Sequence, residues 1–358
     1  QPYRRLIEPF VHRADILLPQ LLNPPQPLRH LRIAGRFAIK GFASAESIAH
    51  KSFRTAAIRG MFAGMAAHSV RPLESRLTGA VGLLFCITAH ASGWPLPRGG
   101  SQSIAAAMRA LFESLGGEVV TDSPVFTFSD LPPSAAVLFD LAPRAVSRIA
   151  GEQLPPRYRK RLEQFRHGPG VFKIDWALAG PIPWTNSRAA QAGTVHVGGR
   201  WEEIAAAESA IWSGQIPERP FVLLAQQSLF DPTRAPDGKQ TGWAYCHVPH
   251  ACAEDMTERI EAQIERFAPG FRDLILERHI FSPAALEAYN ANYVGGDITG
   301  GVMDFRQLMA RPALRRSPYT TPNRRIYLCS ASTPPGGGVH GMCGYHAARA
   351  ALCRILRD

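Results

Sequence analysis

A chain of 358 residues, of which 46% are hydrophobic, is long enough to bury a large core or to form two domains, and this excludes a disordered protein. The formal net charge of +11 favours contact with an anionic molecule or surface. No zinc-finger spacing, basic zipper or aromatic single-strand motif accompanies this charge, so we expect no nucleic-acid partner.

Cysteine usage favours a reducing, cytoplasmic setting. None of the six cysteines forms a CxxC pair, and a chain of this size needs no disulfide framework. The segment from Cys246 to Cys252 also contains His247 and His250. Because Cys246 and His247 point to opposite faces of a strand-like run, we predict sheet packing there rather than a metal site.

Residues 1–92 are predicted to be mostly helical. One helix places a basic face opposite an apolar face. The basic residues are Arg29, Arg32, Arg36 and Lys40, and the apolar residues are Leu28, Leu31, Ala38 and Phe42. Such a helix either lies on an anionic membrane or presents a solvated charged face on a packed helix.

The stretch from Thr78 to Pro97 carries no Asp, Glu, Lys or Arg and is just long enough to span a bilayer. It contains His90 as well as several glycines and prolines. We therefore expect a buried helix and its exit loop rather than a membrane span.

Strands and helices are predicted to alternate from Gly93 onward. Before residue 151 we expect a helix at Ser101–Leu115, a strand at Glu118–Thr121, a doubly buried strand at Ala135–Asp140 and a helix at Pro143–Ala150. Longer strands follow at Val171–Ala179, Thr194–Gly199, Phe221–Ser228 and Thr241–Pro249, with helices at Trp201–Trp212 and Asp255–Phe267. This pattern predicts a mixed sheet layered with helices, which suits the wall of a substrate cavity.

The strongest local signal is RIYLCSASTPPGGGVHGMCGYHAARAAL, which predicts a strand, a glycine turn and a helix. Glycines in such a turn let backbone N–H groups approach a ligand, and a helix N-terminus favours negative charge. The helix carries small residues that permit close packing. They are Gly344, Ala347, Ala348 and Ala351. The segment therefore predicts a cofactor site.

This closing segment resembles the C-terminal flavin-binding signature of phytoene desaturases and related NAD(P)/FAD-dependent oxidoreductases. Two further segments, DPTRAPDGKQTGWAYCHVP and NYVGGDITGG followed by an Arg-Pro pair, resemble the parts that precede the signature in that family. Upstream, GWPLPRGGSQSIAAAMRALFESLGGEVVTDSPV resembles the stretch where a Gly-Gly turn leads a helix and a strand. The resemblance extends over nearly the whole chain.

The resemblance implies an α/β fold in which a discontinuous Rossmann-like FAD-binding domain, here incomplete, is interleaved with a mixed-sheet substrate domain. It divides the chain into a helical region (1–92), part of the FAD-binding domain (93–150), the substrate domain (151–290) and the C-terminal part of the FAD-binding domain (291–358). FAD is the implied cofactor.

The resemblance also implies individual site residues. Contacts to the flavin ring and ribityl chain fall on Gly336, Gly337, Gly338, Val339, Gly341 and Met342. Val125 matches a contact to adenine, and the turn Gly99–Gly100 matches backbone near the ring or a plain loop. His340 is the candidate catalytic proton carrier, with a helix-capping role as the alternative. Tyr245 and His247 either line the cavity or pack structurally.

The beginning of the chain departs from the family. The first residue is Gln rather than Met, so we expect the chain to begin inside a longer product. Residues 1–60 contain no GxGxxG turn, so we expect the chain to bind FAD weakly or not at all by itself.

The implied function is hydride transfer from a small apolar substrate, isoprenoid or lipid-like, to the flavin. The alternatives are a non-catalytic remnant that binds an apolar ligand or partner, and a cytoplasmic protein that associates with membranes through its basic helix.

Overall fold

The computed structural model describes residues 1–23 and 30–355. The N-terminal part is helical, as predicted. Its helices are α1 (Pro2–Val11), α2 (Ala14–Leu22), α3 (Leu31–Gly41), α4 (Ala45–Ser52), α5 (Ala56–Ala67) and α6 (Thr78–Ala91). They share a core in which Phe10, Phe53 and Phe62 are fully buried. Because α6 packs into this core, the prediction of a buried helix after Thr78 is confirmed.

The predicted division of α3 into a basic and an apolar face is wrong in part. The buried side of α3 consists of Ala34, Phe37 and Gly41, whereas Leu31 is 70% exposed and Ala38 and Phe42 are also exposed. Packing against Phe10 of α1 decides which side is buried, and periodicity does not show where that neighbour lies. The predicted members Leu28 and Arg29 lie outside the described residues.

The next segment contains α7 (Gln102–Ser114), β1 (Val137–Phe139), α8 (Pro143–Ala150) and α9 (Pro156–Glu163). Helices α8 and α9 bury side chains in a common core. Helix α7 buries none of its residues. The predicted strand Glu118–Thr121 is wrong because these residues form no ladder, and the strand predicted at Ala135–Asp140 is shorter and leaves Leu138 exposed.

Most of the central strands and helices are confirmed with small shifts of their ends. They are β2 (Gly170–Leu178), β3 (Thr194–Val197), α10 (Trp201–Trp212), β4 (Val222–Ala225), β5 (Gln240–Val248) and α11 (Thr257–Glu265). The strand β6 (Ile275–Phe281) was not predicted, because this edge strand is largely exposed and its charged residues hide the alternation.

These strands form an antiparallel sheet in the order β3-β4-β5-β2-β6 among the described residues. One face packs on α11, where Cys246 meets Met256 and Ile260 in a buried core. On the other face, His247 contacts Glu208 of α10. Cys246 and His247 therefore point to opposite faces, as predicted.

The C-terminal part packs against the segment that contains β1, α8 and α9. It contains α12 (Pro283–Tyr289), α13 (Phe305–Ala310), β7 (Ile326–Leu328) and α14 (Met342–Ile355). Strand β7 pairs in parallel with β1, and both strands join a core with α8 and α9. This two-stranded parallel sheet places the glycine turn, which follows β7, at its carboxyl end.

Within the described residues, no helix combines the length and apolar character needed to cross a membrane. The same residues contain no group of three or more His, Cys, Asp or Glu side chains placed to hold a metal ion.

Candidate functional site

The turn between β7 and α14 has a backbone that suits glycine. Gly336 has φ of +111° and Gly338 has φ of +146°, which L side chains rarely adopt. A Cβ atom on Gly337 would lie 2.9 Å from the carbonyl oxygen of Thr299. The conformation of the turn therefore requires glycine at all three positions, whether or not a ligand binds there.

The residue beneath this turn is Arg311, whose side chain is fully buried. Its Nη2 donates to the carbonyl oxygens of Gly300 at 2.7 Å and Ala331 at 3.1 Å, and its Nε donates to that of Ser332 at 3.3 Å. The Nη1 atom has no hydrogen-bond partner among the described residues, and it lies 3.5 Å from the position of a Cβ on Gly336. A buried cationic donor without an acceptor is costly, so this arm of Arg311 is suited to an anionic or carbonyl group of a ligand.

Arg311 remains a cation at neutral pH. Burial lowers the pKa of Arg311 to about 10, while the negative charge of the nearby Asp297 acts in the opposite direction. Burial acts to raise the pKa of Asp297, but the neighbouring His167 and hydrogen bonds from Thr299 and the Gly168 amide hold it below its ordinary value. The site therefore contains a buried cation with a buried counter-charge.

His167 lies beside Asp297 and is buried as well. Its Nδ1 is 3.5 Å from Asp297 Oδ2, which is longer than a well-formed hydrogen bond, so we treat the pair as an electrostatic contact. Both ring nitrogens of His167 lack a hydrogen-bond partner.

The residues that follow the glycines are placed differently. Val339 is 93% exposed, and His340 is half-buried with its Nδ1 accepting the backbone N–H of Met342 at 3.1 Å. His340 thus caps the first turn of α14, and burial lowers its pKa. A capping role is shown, while its role as a proton carrier stays a prediction, as do the flavin contacts of Val339, Gly341 and Met342.

The small residues of α14 lie on one stripe of the helix, because their spacing is i, i+3, i+4 and i+7. Ala347 and Ala351 are buried, whereas Gly344 and Ala348 are exposed. The close packing predicted for this stripe is therefore confirmed for Ala347 and Ala351, while Gly344 and Ala348 lie at the surface of the described residues.

The turn Gly99–Gly100 lies in a different neighbourhood. The Gly99 amide donates to Asp231 Oδ2 at 2.6 Å, and Arg234 Nη1 donates to the Gly99 carbonyl at 2.7 Å. These contacts join two of the segments that carry the resemblance. Val125 is half-buried against the core that contains β1 and β7. The cofactor roles of Gly99, Gly100 and Val125 stay predictions.

An apolar cleft of about 820 Å³ opens beside the turn Gly99–Gly100. Its apolar lining consists of Met65, Trp94, Pro95, Leu96, Phe230 and Pro232. A second cleft of about 840 Å³ lies between α5 and β3 and shares Met65, Ala192, Thr194 and His196 with the first. The shared residues make the two clefts neighbours along one wall of the sheet.

A histidine pair stands at this shared wall. His68, which follows α5, and His196 of β3 face each other with their Nε2 atoms 2.9 Å apart. Burial lowers the pKa of His196 to about 4 and lowers that of His68 well below its ordinary value, with the charges of His196 and His247 as lesser causes. Both imidazoles are therefore neutral at neutral pH, and one donates to the other.

Neither Arg311 nor the histidine pair was found from the sequence. The Arg-Pro pair was noted only as part of the resemblance, and burial of an arginine is decided by tertiary packing. His68 and His196 are 128 residues apart along the chain, and no local spacing connects them. Tyr245 and His247, predicted as cavity or packing residues, lie deeper in the sheet, where Glu208 accepts from His247.

Acid should destabilise the chain through the His68–His196 pair. In an unfolded chain both histidines titrate near about pH 6.5. Between about pH 6.5 and 4 the unfolded state binds more protons, so the free energy of unfolding should fall by about 1.4 kcal/mol per pH unit for each histidine. Urea unfolding at a series of pH values should show a shallower fall in the double variant His68→Leu/His196→Leu. His12→Leu, at an exposed histidine, is the control, and an unchanged slope in the double variant would contradict the assignment.

Sequence comparisons place the chain among oxidoreductases. It is 30% identical over 256 residues to the pyridine nucleotide-disulfide oxidoreductase domain-containing protein 2 of Rattus norvegicus, which covers 63% of the chain and 39% of that protein. It is 25% identical over 289 residues to the phytoene desaturase (lycopene-forming) of a Paracoccus strain, which covers 73% of the chain and 55% of that enzyme. The chain therefore spans about half or less of the length of these two relatives. No protein-family model matches it.

Comparison with solved structures supports the fold. A putrescine oxidase redesigned in its cofactor binding has a TM-score of 0.55 at 16% identity, covering 99% of this chain and 75% of the oxidase. An oxidoreductase from Methanosarcina mazei has a TM-score of 0.52 at 14% identity, covering 97% of this chain and 72% of that protein. The chain has the α/β fold of these oxidoreductases, and its sequence is similar to phytoene desaturases and related proteins, as its motifs predict.

Proposed function

We propose that the chain is the flavin-ring-binding and substrate-binding part of an FAD-dependent oxidoreductase of the dehydrogenase or desaturase type. The observation that carries the proposal is the unpartnered Nη1 of Arg311 beside the glycine turn. A buried cation aimed at a turn with exposed backbone suits the electron-rich pyrimidine edge of a flavin. When bound, FAD supplies the hydride acceptor.

The residues present fit the ring end of the cofactor. Among the described residues, a Cβ on Gly336 would meet only Arg311 Nη1 within 4 Å, at 3.5 Å, and a Cβ on Gly341 would meet no heavy atom within that distance. Gly336, Gly338 and Gly341 would offer backbone to the ring, while Arg311 would supply the positive charge. Arg311 also fixes the turn, because it holds the Gly300 and Ala331 carbonyls in place.

Residues 1–60 contain no GxGxxG turn that could bind the nucleotide end of FAD. An exposed apolar face lies on α7, which buries none of its residues, and consists of Met108, Leu111 and the adjoining Leu115. A two-stranded parallel sheet is also marginal by itself. We propose that a further polypeptide layer covers this face in the whole protein and binds the nucleotide end.

The substrate is proposed to be an apolar molecule, isoprenoid or lipid-like, bound in the clefts beside α5 and β3. Their apolar side chains exclude water from the bound molecule and position it against the sheet. This volume and lining support an apolar body and do not by themselves distinguish one such compound from another.

Arg311→Met should weaken FAD binding by about tenfold or more, because a charge-assisted hydrogen bond contributes roughly 1.5–3 kcal/mol. Binding is measured from the quenching of FAD fluorescence on titration with the full chain. Arg311→Lys, which keeps the charge, should bind FAD with intermediate affinity. Gly337→Val is a poor substitute, since its side chain would collide with Thr299 whether or not FAD binds.

The control for this experiment is Arg315→Met. Arg315 also donates to a backbone carbonyl, that of Thr321, and its guanidinium stacks on Tyr158, so the variant loses similar contacts away from the glycine turn. It should lose stability but keep its FAD affinity. Wild-type affinity in Arg311→Met, equal losses in both variants, or no FAD binding by the wild type would contradict the flavin assignment, and the last result would favour the ligand-binding alternative.

A second proposal is that α3 contacts an anionic membrane. Its outer side combines Leu31 and Ile39, 70% and 77% exposed, with the exposed Arg32, Arg36 and Lys40. Apolar residues flanked by cations are typical of helices that lie in the headgroup region. Each cation near such a surface contributes about 1 kcal/mol, and salt screens this attraction.

Liposome co-sedimentation tests the membrane proposal. Arg32→Glu/Lys40→Glu should reduce binding to phosphatidylserine vesicles by more than tenfold, because two attractions of about 1 kcal/mol each are lost. Added salt should also reduce binding by the wild type. Lys160→Glu, an exposed cation on α9, should leave binding nearly unchanged. Equal binding to neutral phosphatidylcholine vesicles would overturn the proposal.

A further inference from the structure

His196 is a ring with polar nitrogens that lines both of the clefts beside α5 and β3, and an apolar ligand does not explain it. Its neighbours on the shared wall are Met65, Ala192 and Thr194. A polar ring among apolar surfaces gives a cleft its selectivity, because the ligand must satisfy it or leave it unpaired.

The His196 ring is held in place from several sides. Its Nε2 is bonded to His68, whose ring stacks on Phe85 at 4.2 Å between centroids. Phe85 in turn contacts Trp94, which lines the cleft, at 5.6 Å. On the side of the sheet, Phe221 lies 5.5 Å from the His196 ring. The pair is therefore part of a packed aromatic wall.

The helix α5 makes room for this ring through a glycine. A Cβ on Gly64 would lie 2.9 Å from His196 Nδ1 and 3.1 Å from its Cβ. Any larger residue would displace the imidazole. Glycine destabilises a helix, and it occurs here at the position where the Nδ1 edge of His196 contacts α5.

The chemistry of a bonded neutral pair defines what the Nδ1 edge can do. If His68 donates between the two Nε2 atoms, then His196 carries its hydrogen on Nδ1 and Nδ1 is a donor. If His196 donates, its Nδ1 is an acceptor. The same wall can therefore bind either a hydroxyl or a carbonyl group.

We propose that the His68–His196 pair is the polar anchor of these clefts, and that their ligand is an apolar molecule with one uncharged hydrogen-bonding group, such as a hydroxyl or a carbonyl, rather than a pure hydrocarbon or a charged amphiphile. The identification of this ligand as a substrate rests on the proposed function, whereas its binding does not require flavin.

Charged ligands are disfavoured by what surrounds the pair. Burying a carboxylate or an ammonium against neutral imidazoles and apolar side chains carries a large desolvation penalty. The charged residues of the first cleft are Arg98 and Asp231, and the Asp231 carboxylate already accepts from Gly99 and Thr233. Arg98 of the first cleft and Arg188 and Arg200 of the second favour an anionic ligand, but all three are exposed and therefore act on the solvent side of the clefts.

Three matched probes test the proposal by calorimetric titration of the full chain. 2-Naphthol, naphthalene and 2-naphthoate share one ring system and differ only in a hydroxyl, no polar group or a carboxylate. 2-Naphthol should bind about threefold to tenfold more tightly than naphthalene, as expected for one net hydrogen bond, and 2-naphthoate should bind most weakly.

Variants then assign the preference to the pair. His196→Leu should remove the preference for 2-naphthol while naphthalene affinity stays within about twofold, and His196→Gln should restore part of the preference. His68→Leu should also reduce the preference for 2-naphthol, because the hydrogen bond with His68 decides whether Nδ1 of His196 carries a hydrogen. Met65→Leu, which changes an apolar residue common to both clefts, should shift 2-naphthol and naphthalene equally.

Equal affinity of the wild type for 2-naphthol and naphthalene would overturn the proposal even if a variant fails to fold. So would a preference for 2-naphthoate, which would assign selectivity to the arginines Arg98, Arg188 and Arg200, or the absence of binding by all three probes. If the hydroxyl preference is found in a chain that binds no FAD, the proposed function fails while the polar anchor stands.

Discussion

A guanidinium can remain in a protein interior only if the chain supplies acceptors and a counter-charge, and Arg311 imposes this constraint on the C-terminal part of the fold. Two separate loops satisfy it, because the carbonyl of Gly300 from one loop and those of Ala331 and Ser332 from another converge on the Nε and Nη2 atoms. Asp297 supplies the negative charge. The glycine turn is positioned as a consequence, and Nη1 is the part of the cation that these loops leave for a ligand.

The substrate side depends on a second contact between regions. Helix α5 approaches β3 closely at Gly64, and the pair His68–His196 bonds the helical region to the sheet at this point. The clefts lie on either side of that bond. The glycine turn and the clefts thus belong to different parts of the chain, as is expected when one part positions a cofactor and another positions a substrate.

The sequence predicts these parts unequally. The boundaries of α10 agree with prediction because a long helix between two strands has a clear period, and β5 agrees because its alternation covers nine residues. The edge strand β6 was missed since its exposed residues are charged, and the buried side of α3 was assigned wrongly because a neighbouring helix decides it. The glycine turn was found from residue type alone. Arg311 and the histidine pair depend on contacts between distant residues, which one sequence without an alignment does not reveal.

Hydrogen–deuterium exchange of the full chain with and without FAD tests the central claim most directly, because it locates the cofactor without requiring catalysis. On the proposed assignment, FAD slows exchange of the backbone amides from Gly336 to Met342 and of the loop at Gly300 that Arg311 holds. The exposed turn at Gly238 serves as an internal control and should not change. Slowing confined to other segments, or no slowing at saturating FAD, would contradict the claim that this turn and Arg311 form a flavin site.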